Sequence, residues 1–226
     1  MAFSHIFNNG DRPETLAQAR ARMVEEQLRS RGIRDPRVLA AMGKVPREEF
    51  ISGEDFGQAY GDHPLPIGAG QTVSQPYIVA AMIESLELQS TDRVLEVGTG
   101  TGYEAAILAQ LAAEVWTIER HAELAGKAEE ILARLGYTNV HVVHGDGSLG
   151  LAEHAPFDKI LVAAAAPRIP ESLVAQLNEG GRLVVPVGSR TEQQVHIVRK
   201  EGGEIIVTTD DLCRFVPLVG AEGWQP

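Results

Sequence analysis

Cysteine is almost missing from this chain. Its 226 residues include one, Cys213, so an internal disulfide is excluded and the expected location is the reducing cytoplasm. The start, Met1-Ala2-Phe3-Ser4-His5, lacks the basic region and apolar core of a secretory leader. Nowhere does the sequence approach the ~18 consecutive apolar residues that a membrane-spanning helix needs, so no membrane partner is expected. Positive charge is also scarce: 20 Lys and Arg face 31 Asp and Glu, for a net charge of -11. That balance opposes binding along a phosphate backbone, and the local cluster Arg29, Arg31, Arg34 and Arg37 reads as a solvated helix end rather than a nucleic-acid surface. The 7 histidines are dispersed; His141 and His144 lie three apart on an expected strand and face opposite ways, with no Cys or HxxxH pairing, so no metal is expected. There is no Gly-x-Ser-x-Gly elbow, and Ser74 has no recognisable partner set, which argues against a hydrolase triad.

What remains is a chain that is 44% hydrophobic and long enough to bury one sizeable core with a modest extension. Residues 1–12 show no periodicity and read as a tail. Ala17, Ala21, Val24 and Leu28 mark one face of a helix that Gly32 ends, and Asp35-Pro36 caps and starts a second, short helix. Residues 52–73 hold five glycines and two prolines, too many breakers for regular structure, so a long functional loop is expected there. It leads through Ser74 into a helix whose stripe is Ile78, Val79, Met82, Ile83 and Leu86.

From residue 93 the chain alternates: strand 93–97, helix 102–112, strand 114–119, helix 121–135, strands 140–144 and 158–163, helix 171–177 and strand 182–187. Alternation of this kind predicts an α/β fold, a doubly wound and mostly parallel seven-stranded sheet with helices on both faces. Val195–Val198 and Ile205–Val207, on either side of Glu201-Gly202-Gly203-Glu204, read as a C-terminal antiparallel hairpin. The organisation is then a tail at 1–12, a helical extension with a substrate-covering loop at 13–90, and a core at 91–226, all in one structural domain.

The most telling segment is Val94-Leu95-Glu96-Val97-Gly98-Thr99-Gly100-Thr101-Gly102, a strand running into a glycine turn that lets backbone approach a nucleoside closely. Glu119 follows at the end of the next strand, where an acid can accept hydrogen bonds from both ribose hydroxyls. Tyr103 stands where a dinucleotide fingerprint wants a small residue, which disfavours NAD. His144-Gly145-Asp146-Gly147 follows the third strand, so the Asp146 carboxylate is either an acceptor for an adenine amino group or a turn former. Ser74 is either a helix cap or, with the amides of that helix start, part of an anion site for a substrate carboxylate.

With these residues placed, the chain resembles the class I methyltransferases that use S-adenosylmethionine, and within them the protein-L-isoaspartate O-methyltransferase family. The particular matches are Gly70-Gln71-Thr72-Val73-Ser74-Gln75-Pro76 and Arg214-Phe215-Val216-Pro217-Leu218, supported by Met23–Leu28, Leu65–Gly68, Glu96–Gly100, Ala165-Ala166-Pro167 and Gly180–Leu183; the likeness spans about residues 17 to 224. The resemblance implies that Ser74 is the active-site serine, and that Thr72, Val73, Ser74, Glu96, Gly98, Thr99, Gly100, Gly102, Glu119, Asp146 and Gly147 serve the cofactor. It further implies that Ser74 and Val216 hold the isoaspartyl carboxylate, that isoaspartyl peptides and proteins are the partners, and that the product is S-adenosylhomocysteine. A monomer is expected. Two positions depart from the family pattern: Glu104 stands where Gln is expected, and Glu49 where His is frequent. The competing readings are a methyltransferase for a small-molecule or RNA acceptor and a non-catalytic nucleotide-binding regulator. Ala164-Ala165-Ala166-Pro167, in place of an Asn-Pro-Pro-Tyr-type motif, counts against base amino methylation.

Overall fold

The computed structural model describes residues 14–51 and 53–225, so the expected tail at 1–12 lies outside the described residues. Helix α1 spans Leu16–Arg22 and opens on a reciprocal cap, in which the Thr15 hydroxyl and the Gln18 side chain each take a backbone amide of the other. The coil continues without a break, widened to π geometry over Met23–Leu28 and tightened to a 3-10 turn at Arg29–Arg31, before Gly32 turns out of it. Helix α2, Pro36–Lys44, starts as its sequence requires, with the Asp35 carboxylate on the Arg37 amide and Pro36 at the first position.

The stretch expected to be irregular, 52–73, is corrected by the structure. A 3-10 segment occupies Gly53–Gln58, and strands β1, Leu65–Gly68, and β2, Gln71–Val73, form an antiparallel hairpin. The glycines there are the turn itself, since Gly68, Ala69 and Gly70 all take positive φ, so the breakers make a hairpin instead of preventing one. Helix α3 then runs Pro76–Ser85.

The main sheet is built from β3, Arg93–Val97; β4, Glu114–Glu119; β5, Val140–His144; β6, Phe157–Val162; β7, Leu177–Gly188; β8, Gln193–Glu201; and β9, Glu204–Cys213. Their spatial order is β5-β4-β3-β6-β7-β8-β9, parallel from β5 through β7 and antiparallel from β7 to β9. Between them lie helices α4, Tyr103–Leu108; α5, Ala122–Arg134; and α6, Glu171–Ala175. Helix α4 ends earlier than the expected residue 112: Gln110 and Leu111 bond three residues back, and the Asn139 side chain takes the carbonyls of Ala109 and Ala112.

Alternate strand residues feed two apolar clusters, as the two-residue strand period demands. Val94, Leu161 and Val184 face one side with Met23, Met42, Ile83 and Tyr103, so residues of the helical extension and of the sheet share a single cluster. Leu95, Ile160, Leu183 and Val185 face the other side with Leu173. Chain order reverses at β3, which continues to β4 on one flank and meets β6 on the other. Such a reversal leaves a crevice outside the carboxyl ends of the two strands, the usual ligand position in open sheets. Among the described residues no helix is long and apolar enough to cross a membrane, and no cluster of three or more His, Cys, Asp or Glu is placed to hold a metal.

Candidate active site

A cleft opens at that crevice. About 750 Å³ of empty space, open solvent at its mouth included, lies between its walls. One wall is the turn after β3, where Gly98 and Gly100 take φ of 102° and 54°, backbone that an L side chain adopts only with strain. A side-chain carbon on Gly98 would sit 3.5 Å from Ala163, which follows β6, and one on Gly100 would sit 3.3 Å from Ile67. The β1–β2 hairpin therefore leans directly on the glycine turn. Glu119, at the end of β4, fixes the turn: one carboxylate oxygen accepts from the Gly100 amide at 3.0 Å and the other from the His121 amide at 2.9 Å.

Ser74 lines the same cleft from the end of β2. The cap position of α3 belongs to Gln75, with no side-chain cap bond, so the serine is not the helix cap that was one of its two readings. Its carbonyl is held instead, by the Arg47 guanidinium at 2.9 Å. Arg47 is fully buried, also donates to the Ala59 carbonyl at 2.7 Å, and lies 4.7 Å from the Tyr103 ring centre. The far wall is the segment Val216–Val219. It is clipped to the loop after β6, with the Ala165 amide on the Val216 carbonyl and the Leu218 amide on the Ala165 carbonyl, both at 2.8 Å. A second, wider groove shares Thr72, Ser74, Ala163, Val216 and Pro217 with the cleft and runs out along Arg214 to Leu212 on the edge strand β9.

Nine of the residues expected at the site therefore line one cleft: Thr72, Val73, Ser74, Gly98, Thr99, Gly100, Glu119, Gly147 and Val216. Glu96, Gly102 and Asp146 stand behind the wall. Glu96 is fully buried and accepts from the Thr117 hydroxyl. The Asp146 carboxylate accepts from the Ser148 amide and hydroxyl and from the Ala221 amide at 2.8 Å, capping the turn Gly147–Leu149 and pinning the C-terminal turn. Burial would raise its pKa, and these donors outweigh that and hold it lowered. The turn-forming alternative is thus what its oxygens do. Sequence reasoning names Glu104 only as a departure able to alter the charge of the site, and misses Arg120 as a wall residue and Arg47 as the brace behind Ser74. Only Glu104 carries a local sign, a single charge between Tyr103 and Ala105-Ala106.

The wall suits a nucleoside carrying a cationic group. The Thr101 hydroxyl and one Glu104 carboxyl oxygen, both buried in residues of the wall, have no protein partner. Burial pushes the Glu104 carboxyl up to about 8.

A family model described as protein-L-isoaspartate(D-aspartate) O-methyltransferase matches residues 18–223. The chain is 60% identical over 211 residues to the protein-L-isoaspartate O-methyltransferase of Koribacter versatilis (strain Ellin345), covering 93% of this chain and 95% of the relative. It is 55% identical over 207 residues to that of Methanoculleus marisnigri (strain ATCC 35101 / DSM 1498 / JR1), covering 91% and 94%. A solved protein-L-isoaspartate O-methyltransferase superposes with a TM-score of 0.81 at 30% identity, over 90% of this chain and 67% of the other. A second solved structure, a putative family member from Plasmodium falciparum in complex with S-adenosyl-L-homocysteine, gives a TM-score of 0.78 at 28% identity, over 88% and 98%.

Proposed function

The chain belongs to the protein-L-isoaspartate(D-aspartate) O-methyltransferase family, and from that premise we infer how its own residues carry the reaction. It is an S-adenosylmethionine-dependent methyltransferase acting on the free α-carboxylate of L-isoaspartyl residues, the step that starts their repair to aspartate. The observation that carries the site assignment is one cleft lined together by the glycine turn, Glu119, Ser74 and Val216.

The donor supplies a methyl group on a positively charged sulfur, which leaves as a neutral thioether. Glu119 is placed for ribose hydroxyls, because each of its oxygens keeps a further lone pair beyond the bond it already accepts. The Gly98–Gly100 backbone admits close approach of the nucleoside. On the acceptor side, an isoaspartyl α-carboxylate with a pKa near ~4 is already ionised at neutral pH, so no general base is needed. Ser74 orients it from the cleft wall, two residues before α3, whose first turn has no side-chain cap, whose first amide donor is Tyr77 because Pro76 has none, and whose dipole favours negative charge. Val216 and its clipped neighbours close the other side. Catalysis is then alignment of oxygen, methyl and sulfur, an effect worth up to roughly 7–11 kcal/mol in well-oriented systems.

The net charge of -11 supports proteins rather than nucleic acid as partners, and the lone Cys213 supports a reducing, cytoplasmic setting. The test is incubation with methyl-labelled S-adenosylmethionine and matched peptides that carry aspartate or isoaspartate at one position. Base-labile label on the isoaspartyl peptide alone is expected; label on both, or on neither, would refute the assignment.

A further inference from the structure

Glu104 is the second residue of α4, is only 8% exposed, and lines the cleft together with Ser74 and Gly98. Glu96 lies on the same face of the sheet, fully buried. Its carboxyl accepts from Thr117, whose hydroxyl lies 2.6 Å from that of Thr99 in the glycine turn, and its second oxygen has no protein partner. Burial raises both carboxyls, and the like charge of Glu104 raises Glu96 further.

Among the described residues no cation forms an ion pair with either acid. From the 3-10 turn Arg47–Phe50, Arg47 gives two donors to the Ala59 and Ser74 carbonyls and forms no ion pair with either acid, its Nη1 having no hydrogen-bond partner. Tyr103, next to Glu104 on α4, is pushed up to about 12 by burial and stays neutral. From β4, Glu119 adds another acid acting on Glu96, with both oxygens on backbone amides. Arg120 lies at the exposed mouth of the cleft. Buried acids without a cation weaken a fold, so stability does not account for them. A ligand that brings its own positive charge does.

We propose that Glu104 is a specificity residue for the donor: its carboxyl, buried in the wall of the cleft and acting together with that of Glu96, sets how strongly the site prefers the cationic sulfonium over the neutral thioether product. It rests on the cleft being the donor site. A proton held by Glu104 leaves the wall neutral and the two ligands nearly equal. Its loss places a negative charge in the wall, favours the sulfonium, and weakens retention of the product once the sulfonium and carboxylate charges have cancelled to give a neutral thioether and a neutral methyl ester.

The experiment is calorimetric titration of the full chain and of Glu104→Gln with S-adenosylmethionine and S-adenosylhomocysteine from pH 6 to pH 9. Any pH dependence that belongs to the ligands is common to both proteins. In the wild type the ratio of the product's Kd to the donor's is expected to rise about tenfold more across this range than in Glu104→Gln. Equal pH dependence in the two proteins would overturn the proposal. Should the variant fail to fold, the wild type suffices: the infrared band of a buried protonated carboxyl should weaken on binding S-adenosylmethionine and persist with S-adenosylhomocysteine, and a band unmoved by the donor would overturn it. Absence of binding by either ligand would instead remove the donor-site assignment, and the proposal with it.

Discussion

Glu119 and Gly100 are joined at 3.0 Å, carboxylate to amide, across the crevice between β4 and the turn after β3. The residue assigned to the ribose is thereby also the clamp of the loop that receives the nucleoside. Glu119→Ala is expected to raise the Kd of S-adenosylhomocysteine by roughly 10- to 100-fold, since hydrogen bonds to a charged group contribute about 1.5–3 kcal/mol. Calorimetry checks this; an unaltered Kd would contradict the assignment.

Ser74 is held through its carbonyl, which leaves the hydroxyl available to the substrate. Ser74→Ala should therefore lower kcat/KM for an isoaspartyl peptide by roughly 10- to 100-fold, the loss of one bond to a carboxylate. The Kd for S-adenosylhomocysteine should stay within about twofold. Turnover equal to the wild type would remove the hydroxyl from the mechanism.

Arg47 is fully buried and satisfies two carbonyls, one of them that of Ser74. Arg47→Met keeps much of the apolar stem but leaves both carbonyls unpaired, at about 1–3 kcal/mol each. Urea unfolding should show a loss of roughly 2–5 kcal/mol, with activity falling further than that of a distant surface variant. A change below about 0.5 kcal/mol would mean that water replaces the guanidinium.

Glu104 contributes one part of the pH dependence of stability. Its folded pKa, about 8, lies above the ordinary carboxylate value of 4.5 because of burial. The folded state thus binds the proton more tightly, and the favourable contribution present below pH 4.5 is lost as pH rises towards 8. Glu104→Gln removes this loss. Its Tm should match the wild type near pH 4.5 and exceed it by several degrees at pH 8, at roughly 2–4 °C per kcal/mol for a chain of this size. Parallel Tm curves in thermal melts would rule the titration out.

The parallel half of the fold is legible because its central strands β3 and β6 are buried on both faces, so Val94–Val97, Glu96 apart, and Ile160–Val162 read as apolar runs between periodic helices. The edge is not. Strand β9 extends to Cys213 through Thr208, Thr209, Asp210 and Asp211, polar because they face solvent, so the apolar signal stopped at Val207. The β1–β2 hairpin was hidden for a related reason, since its turn residues were counted as breakers. At the site, Gly98, Gly100 and Glu119 are read from motif spacing, which local chain geometry dictates, and Ser74 from the family resemblance of the segment around it. The burial of Glu104, the bond from Arg47 to Ser74 27 residues away and that from Ala221 to Asp146 75 residues away are not written in local spacing.

The most direct measurement is a crystal structure of the full chain with S-adenosylhomocysteine and an isoaspartyl peptide. The thioether sulfur should face the isoaspartyl α-carboxylate beside the Ser74 hydroxyl, with the ribose on Glu119. A ligand bound elsewhere, or a peptide carboxylate remote from Ser74, would contradict the shared cleft on which the mechanism depends.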